Sequence, residues 1–271
     1  MNDVQKVALE TLKNFVAVCE KMNLEFYLVN GSALGAKKYK GFIPWDDDID
    51  VAMPRKDYEK FLQNAQELLP EPYFVQNYRT DKEFPFLYSK IRNSETAFIE
   101  SSVRNLDMNH GIYIDVFPLD GYSASAKFKK IKDICVKVLF WFSFCALEHK
   151  SSFKVNFRNS VLRLFGFHKR TDKALSLLEK LISDSSEAKF LCNYADRQRK
   201  GCILREWYGD GTPAEFEGIA VKIPEIFVDF LSYKYGDWHS DLPQNQQKSH
   251  HTAVVVDTEK SYREYTVNNK L

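Results

Sequence analysis

Four carboxylates fall within five positions in the run Gly41-Phe42-Ile43-Pro44-Trp45-Asp46-Asp47-Asp48-Ile49-Asp50-Val51-Ala52-Met53-Pro54. Crowding them is costly. Two unit charges about 4 Å apart repel by roughly 4 kcal/mol at an effective dielectric near 20. Such a cluster sits on a solvated loop or is neutralised by a cation. The alternation Asp48-Ile49-Asp50-Val51 favours the cation. Residues two apart on a strand share a face, so Asp48 and Asp50 would point one way and Ile49 and Val51 into the core. Paired carboxylates at a strand end form a hard oxygen site suited to Mg²⁺, with Mn²⁺ as the alternative. An EF-hand fails. Counting from Asp46, the sixth position is Val51 where Gly is needed, the twelfth is Asp57, and Pro54 intervenes.

A third carboxylate completes the set. Asp115 lies mid-run in Ile112-Tyr113-Ile114-Asp115-Val116-Phe117-Pro118-Leu119-Asp120-Gly121. A buried carboxylate must be paired, hydrogen-bonded or neutralised. One reading is a structural pairing with a buried Arg or with backbone N–H groups. The other places Asp115 on a strand beside Asp48 and Asp50, sharing their metal. Asp120, before Gly121, reads as a turn residue. Upstream, Asn30-Gly31-Ser32-Ala33-Leu34-Gly35-Ala36 joins a strand to a short helix. Gly31 lets a phosphate approach the backbone, Ser32 offers a hydroxyl, and the helix N-terminus favours negative charge.

The elements that must position these groups follow from periodicity. Apolar residues at helical spacing predict a helix over 3–22, with Asp3 as its N-cap. A strand is expected over 25–29 and a helix over 55–69, ended by Pro70 and Pro72. Further strands are expected over 73–78, 86–91, 96–99 and from 112. Residues 172–184 and 225–235 read as helices and 216–224 as a hairpin. His250-His251 closes the ordered part as a structural or substrate-edge feature, and 257–271 reads as polar and loosely held.

The net charge of +1 over 271 residues gives no global signature of nucleic-acid binding. The charge is unevenly spread: residues 123–170 carry eight Lys and three Arg against Asp133 and Glu148. This helical segment is either a core helix with a solvated basic face or a surface for anionic lipid or polymer. Five cysteines without a CxxC pair read as reduced thiols of a cytoplasmic protein; Cys192 with Cys202 as a zinc half-site is the minor reading. The run from Val138 to Leu147 is too short to span a bilayer, and the first twenty residues lack the pattern of a signal peptide.

The Gly31–Ala36 run and the Lys40–Asp50 run together resemble the LicD family of phosphocholine transferases, related to fukutin and fukutin-related protein. The likeness continues through Ile114–Asp120 and returns in Phe216-Glu217-Gly218, Tyr235-Gly236-Asp237-Trp238, Leu242-Pro243 and Ser249-His250-His251. It implies an α/β (α+β) nucleotidyltransferase-like mixed-sheet core over 1–121. A mostly helical remainder over 122–271 would cover the cleft. Carried over by position, Asp48, Asp50 and Asp115 would be the catalytic, metal-binding residues, and Gly31, Ser32 and Lys38 would bind the donor phosphates. The family's usual Arg-His is here Lys38-Tyr39, which keeps the charge but loses the bidentate fork. Family members often carry Thr-Leu where this chain has Ser32-Ala33.

The implied reaction moves phosphocholine from CDP-choline, or another alcohol phosphate from its CDP-alcohol, to a hydroxyl of a glycan or lipid-linked glycan acceptor. That glycan would be of teichoic acid or lipopolysaccharide type, and CMP is released. The expected location is cytoplasmic, with peripheral contact at the inner membrane face through the basic segment. Three rivals differ in class. A glycosyltransferase would use Asp46 and Asp48 as a DxD pair but needs neither the Gly-Ser turn nor Asp115. A small-molecule nucleotidyltransferase shares those features but transfers the nucleotide itself. A non-catalytic module would bind the donor without turnover.

Overall fold

The computed structural model describes residues 1–122, 134–140, 147, 157, 159–161, 164, 171–183, 188–195, 201–248 and 252–266. Most of the basic segment 123–170, His250-His251 and the chain end from 267 lie outside the described residues.

A mixed sheet is the frame. It comprises β1 (Tyr27–Leu28), β2 (Asp50–Pro54), β3 (Tyr73–Gln76), β4 (Ser89–Asn93), β6 (Ile112–Tyr122), β7 (Phe190–Cys192) and β8 (Cys202–Leu204). The order is β1-β2-β6-β4-β3, with β7 on the far end of β6 and β8 beyond it. Only β2 and β6 pair in parallel; the other pairs are antiparallel. β6 is central and buried along nearly its whole length. That suits a near-continuous apolar run, which can be covered on both faces.

Helix α1 (Asp3–Met22) packs Ala8, Leu12, Phe15 and Cys19 into the main core. Its N-cap is Asn2, one residue before the expected Asp3. Asn2 Oδ1 accepts from the Gln5 N–H, and Gln5 Oε1 accepts from the Asn2 N–H, each at 2.8 Å. The two side chains satisfy two orphan donors reciprocally, which Asp3 as a cap would not. Helix α2 (Asn30–Lys38) follows β1, and α3 (Arg55–Leu68) follows β2. α3 seats Tyr58, Phe61 and Ala65 inside.

The later residues join this core. The sheet continues through residue 121: Asp120, Gly121 and Tyr122 of β6 pair with β7. β9 (Thr212–Phe216) and β10 (Ile219–Ile223) form the expected hairpin, and β11 (Ala253–Asp257) pairs with β5 (Ala97–Glu100). Helix α4 spans Thr171–Ile182 and helix α5 spans Phe227–Tyr235. Tyr208, Phe216, Phe230 and Trp238 belong to the same apolar cluster as α1 and the sheet. The α+β class therefore holds, with strands as well as helices among the described C-terminal residues.

Two expectations are corrected. Cys192 and Cys202 face each other across β7 and β8 and form a disulfide, so the reading of five reduced thiols fails. The pair is not a zinc half-site. Asp120 is a strand residue, fully buried, and Arg55 Nε and Nη2 each donate to its carboxylate at 2.7 Å. Strand pairing with β7 overrides the turn tendency of Asp-Gly. Among the described residues no helix is long and apolar enough to cross a membrane.

Candidate functional site

The parallel pairing of β2 with β6 sets Asp50 directly beside Asp115. Ile49 and Val51 are fully buried, as the alternation requires. The Ile49 carbonyl accepts from the Asp115 N–H at 2.8 Å, which locks the two strands at the acidic end. Asp46, Asp47 and Asp48 occupy the preceding loop. One carboxylate oxygen from each lies within 4.8 Å of the others. Asp46, Asp48 and Asp50 line a cleft of about 300 Å³. Asp115 is one strand behind, only 5% exposed.

The cluster is electrostatically strained. Burial, then the charges of Asp48 and Asp115, push the Asp50 carboxyl well above its ordinary value; Asn30 works the other way. Burial also raises Asp115, opposed by Lys90, with Asp48 and Glu100 adding to the rise. Lys90 Nζ lies 2.9 Å from Asp115 Oδ1 and 3.1 Å from the Tyr113 ring centroid. The counter-charge of Asp115 is thus a buried Lys rather than an Arg. All the donors here are carboxylate oxygens, crowded together at the start of β2. That is the donor chemistry a hard divalent cation requires.

The Gly31-Ser32 pair sits in the first turn of α2. A Cβ on Gly31 would meet Asp46 Oδ2 at 2.7 Å, so this glycine allows α2 to pack against the acidic loop. Ser32 is buried, and its Oγ accepts from the Asp50 N–H at 2.8 Å. Asn30, at φ 48°, donates from Nδ2 to Asp50 Oδ2 at 3.0 Å. α2 thereby positions β2 as well as facing the cleft. Lys38, in its last turn, lines the cleft and pairs with Asp241 at 2.7 Å.

Several positioning residues escaped the sequence reading. Gln5 Nε2 donates to the Asp46 carbonyl at 2.7 Å, tying the α1 cap to the acidic loop. The β9–β10 turn grips the loop from the other side. Its Glu217 N–H donates to the Lys40 carbonyl at 2.8 Å, and Glu217 Oε1 accepts from the Phe42 N–H at 3.2 Å. Phe216 packs edge-on against Phe42. Lys90 left one signal, a Lys that follows the apolar run Phe86–Tyr88 within an expected strand. Asn30 and Glu217 lie within the motifs quoted from the sequence, but nothing in the local pattern gave their partners. The outer wall of the cleft comes from Tyr235, Asp237, Trp238, Ser240, Asp241 and Leu242.

Comparison with known proteins adds to this geometry. Residues 23–164 match the model of the LicD/FKTN/FKRP nucleotidyltransferase domain. The chain is 26% identical over 274 aligned positions to the lipopolysaccharide cholinephosphotransferase LicD of Haemophilus influenzae, covering 93% of this chain and 96% of that one. It is also 31% identical over 62 positions to an uncharacterised protein of Rickettsia typhi, covering 23% of this chain and 19% of that protein.

Proposed function

The chain belongs to the LicD/FKTN/FKRP nucleotidyltransferase-domain family, and from that premise we propose that it is a cholinephosphotransferase acting on a glycan hydroxyl, with CDP-choline as donor and Mg²⁺ or Mn²⁺ as metal. One observation carries the reading: Asp50 and Asp115 stand in register on adjacent parallel strands behind the Asp46–Asp48 loop, and Asp46, Asp48 and Asp50 line a cleft. The near full-length likeness to the Haemophilus enzyme supports phosphocholine as the group moved. The acceptor is a surface glycan or its lipid-linked precursor, of lipopolysaccharide or teichoic acid type. The proposed location stays cytoplasmic, with the basic segment as the contact to the inner membrane face, on the strength of the nucleotide donor and not of the cysteines.

Phosphoryl transfer is limited by positioning and charge neutralisation. Asp48 and Asp50, with Asp46 close by, would hold the divalent cation, which neutralises the donor diphosphate when bound. Asn30 and Ser32 hold Asp50 in place through its carboxylate and its N–H. The α2 N-terminus at Gly31 faces the donor phosphates, and Lys38 stands at the far end of the same helix. The acceptor oxygen bonds to the phosphorus that bears choline. The bond from that phosphorus to the bridging oxygen breaks, and CMP leaves with the electron pair. The hydroxyl proton passes to a carboxylate, for which Asp115 is suited because burial keeps its proton affinity high.

Calorimetric titration of CDP-choline, CDP-ribitol, CDP-glycerol, CTP and UDP-sugars, with and without Mg²⁺, tests this. Selective Mg²⁺-dependent binding of CDP-choline, lost in Asp50→Ala, is expected. Preference for another CDP-alcohol changes the group moved and keeps the chemistry. Binding of UDP-sugars alone refutes the proposal in favour of a glycosyltransferase.

A further inference from the structure

We propose that the outer half of the acidic cleft is a subsite for a quaternary ammonium headgroup, walled by Tyr39, Trp45, Tyr235 and Trp238 and flanked by the carboxylates of Asp237 and Asp241. The proposal rests on the cholinephosphotransferase reading and assigns the residues that select the alcohol. All six line the same cleft as Asp46, Asp48 and Asp50. They arrive from two distant parts of the chain. Tyr39 and Trp45 flank the Lys40–Pro44 stretch and meet edge to face at 6.4 Å. Tyr235 ends α5, and Gly236, at φ 72°, reverses the chain so that Trp238 follows on the same wall. Trp238 is anchored against Phe227 and stacks on His239 at 3.9 Å.

The chemistry of these walls fits a trimethylammonium group. A quaternary ammonium has no N–H to donate. It is recognised by aromatic faces and by negative charge at van der Waals range. A ribitol or glycerol chain would draw on hydrogen-bonding groups instead, and the Lys38, Tyr39 and Ser240 donors of this lining are already engaged by Asp241 and Asp237. The local charge agrees. The Lys38 ammonium, which would repel a cation, is tied to Asp241, and the Tyr39 hydroxyl donates to the same carboxylate oxygen at 2.7 Å. Asp237 accepts from the Ser240 hydroxyl at 2.6 Å, and that bond holds its carboxyl below the usual carboxylate range. The cleft therefore has two ends. Crowded carboxylates suited to a metal lie at the floor, and aromatic side chains with the Asp237 carboxylate lie at the mouth, Asp241 being taken up by Lys38. A phosphocholine placed along it would keep its phosphate at the floor and its cation at the mouth.

The test uses the whole chain and two kinds of probe. Calorimetry compares phosphocholine with its neutral carbon isostere, 3,3-dimethylbutyl phosphate, in the presence of Mg²⁺. Steady-state kinetics with CDP-choline compare wild type with Trp45→Leu, Tyr235→Leu and the conservative Trp45→Phe. Loss of one cation–π wall is expected to raise KM on the order of ten-fold, more than it lowers kcat. Trp45→Phe recovers most of that loss, and the isostere binds about ten-fold more weakly than phosphocholine. Equal binding of the isostere, or wild-type KM in both leucine variants of an enzyme that turns over CDP-choline, overturns the subsite and leaves the reaction standing. A wild type that neither binds phosphocholine nor turns over CDP-choline overturns the parent reading, and the subsite falls with it.

Discussion

Gly35→Ala is the most direct probe of how α2 seats the acidic loop. In an unencumbered helix this change stabilises, because Ala is better than Gly by about 1 kcal/mol. Here the new Cβ would lie 2.4 Å from the Gly41 carbonyl oxygen and 3.3 Å from the Ile43 nitrogen. Ordinary contact begins at 3.4 Å, so helix and loop must part by about 1 Å. Both neighbours are backbone, so no rotamer relieves the clash. The loop is also pinned where it would have to move. Gly41 N–H donates to the Gly35 carbonyl at 3.3 Å, and Lys40 and Phe42 are held by Glu217. Overpacking of this kind costs about 1–3 kcal/mol, which offsets or exceeds the helical gain. We expect a net loss of up to about 2 kcal/mol, which at about 2–4 °C per kcal/mol lowers Tm by at most roughly 4–8 °C. Asp46 lies five residues beyond Gly41, so the displacement reaches the carboxylates. A misplacement of about 1 Å can lower turnover about 10²-fold. Thermal unfolding and CDP-choline turnover are read on the same preparation. A variant with raised Tm and turnover within two-fold of wild type would refute the claim that α2 and the loop are rigidly seated on each other.

Three further outcomes follow from the buried charges. The folded-state pKa of Asp50 is raised, so its contribution to stability is present below its ordinary value and is lost as pH rises through the folded pKa. Asp50→Asn removes that loss: without divalent cation, Tm at neutral pH should rise above wild type while turnover disappears, and an unchanged or lower Tm would contradict the assigned strain. Lys90 holds the Asp115 carboxyl down, so Lys90→Met should move the acid limb of the activity–pH profile to higher pH; an unmoved limb would remove Asp115 from proton transfer. Arg55→Met removes the bidentate partner of Asp120, which is fully buried, and should lower stability in urea by about 3–5 kcal/mol, with much of it restored by Arg55→Met combined with Asp120→Leu. A loss under 1 kcal/mol in the single variant would show that water reaches the carboxylate.

What was legible in the sequence was local. The alternation Asp48-Ile49-Asp50-Val51 put Ile49 and Val51 inside and Asp48 and Asp50 on the cleft, although the strand begins only at Asp50 and Asp48 stands in the loop before it. The mid-strand Asp115 declared itself through the cost of burying a carboxylate, and β6 sets it beside Asp50. Illegible were the partners, because charge compensation is settled between elements far apart in the chain. Lys90 meets Asp115 only because β4 is antiparallel to β6 in the register that pairs those two residues. Asp120 looked like a turn because Asp-Gly is a turn dipeptide, yet Arg55, sixty-five positions away, claims it. Cys192 and Cys202 read as thiols from sequence alone because the spacing carries no framework; their pairing depends on two short strands lying side by side. The late Phe216-Glu217-Gly218 run acquires a physical reason only in three dimensions. Gly41 needs to lack a side chain because Glu217 fills that space: a Cβ there would lie 2.0 Å from Glu217 Oε1. The glycine of the acidic run and the acid of the hairpin are two halves of one contact, split by the whole middle of the chain. The carboxylates of such a site can be read from one strand, but the groups that hold them against their own repulsion come from the register and packing of the entire fold.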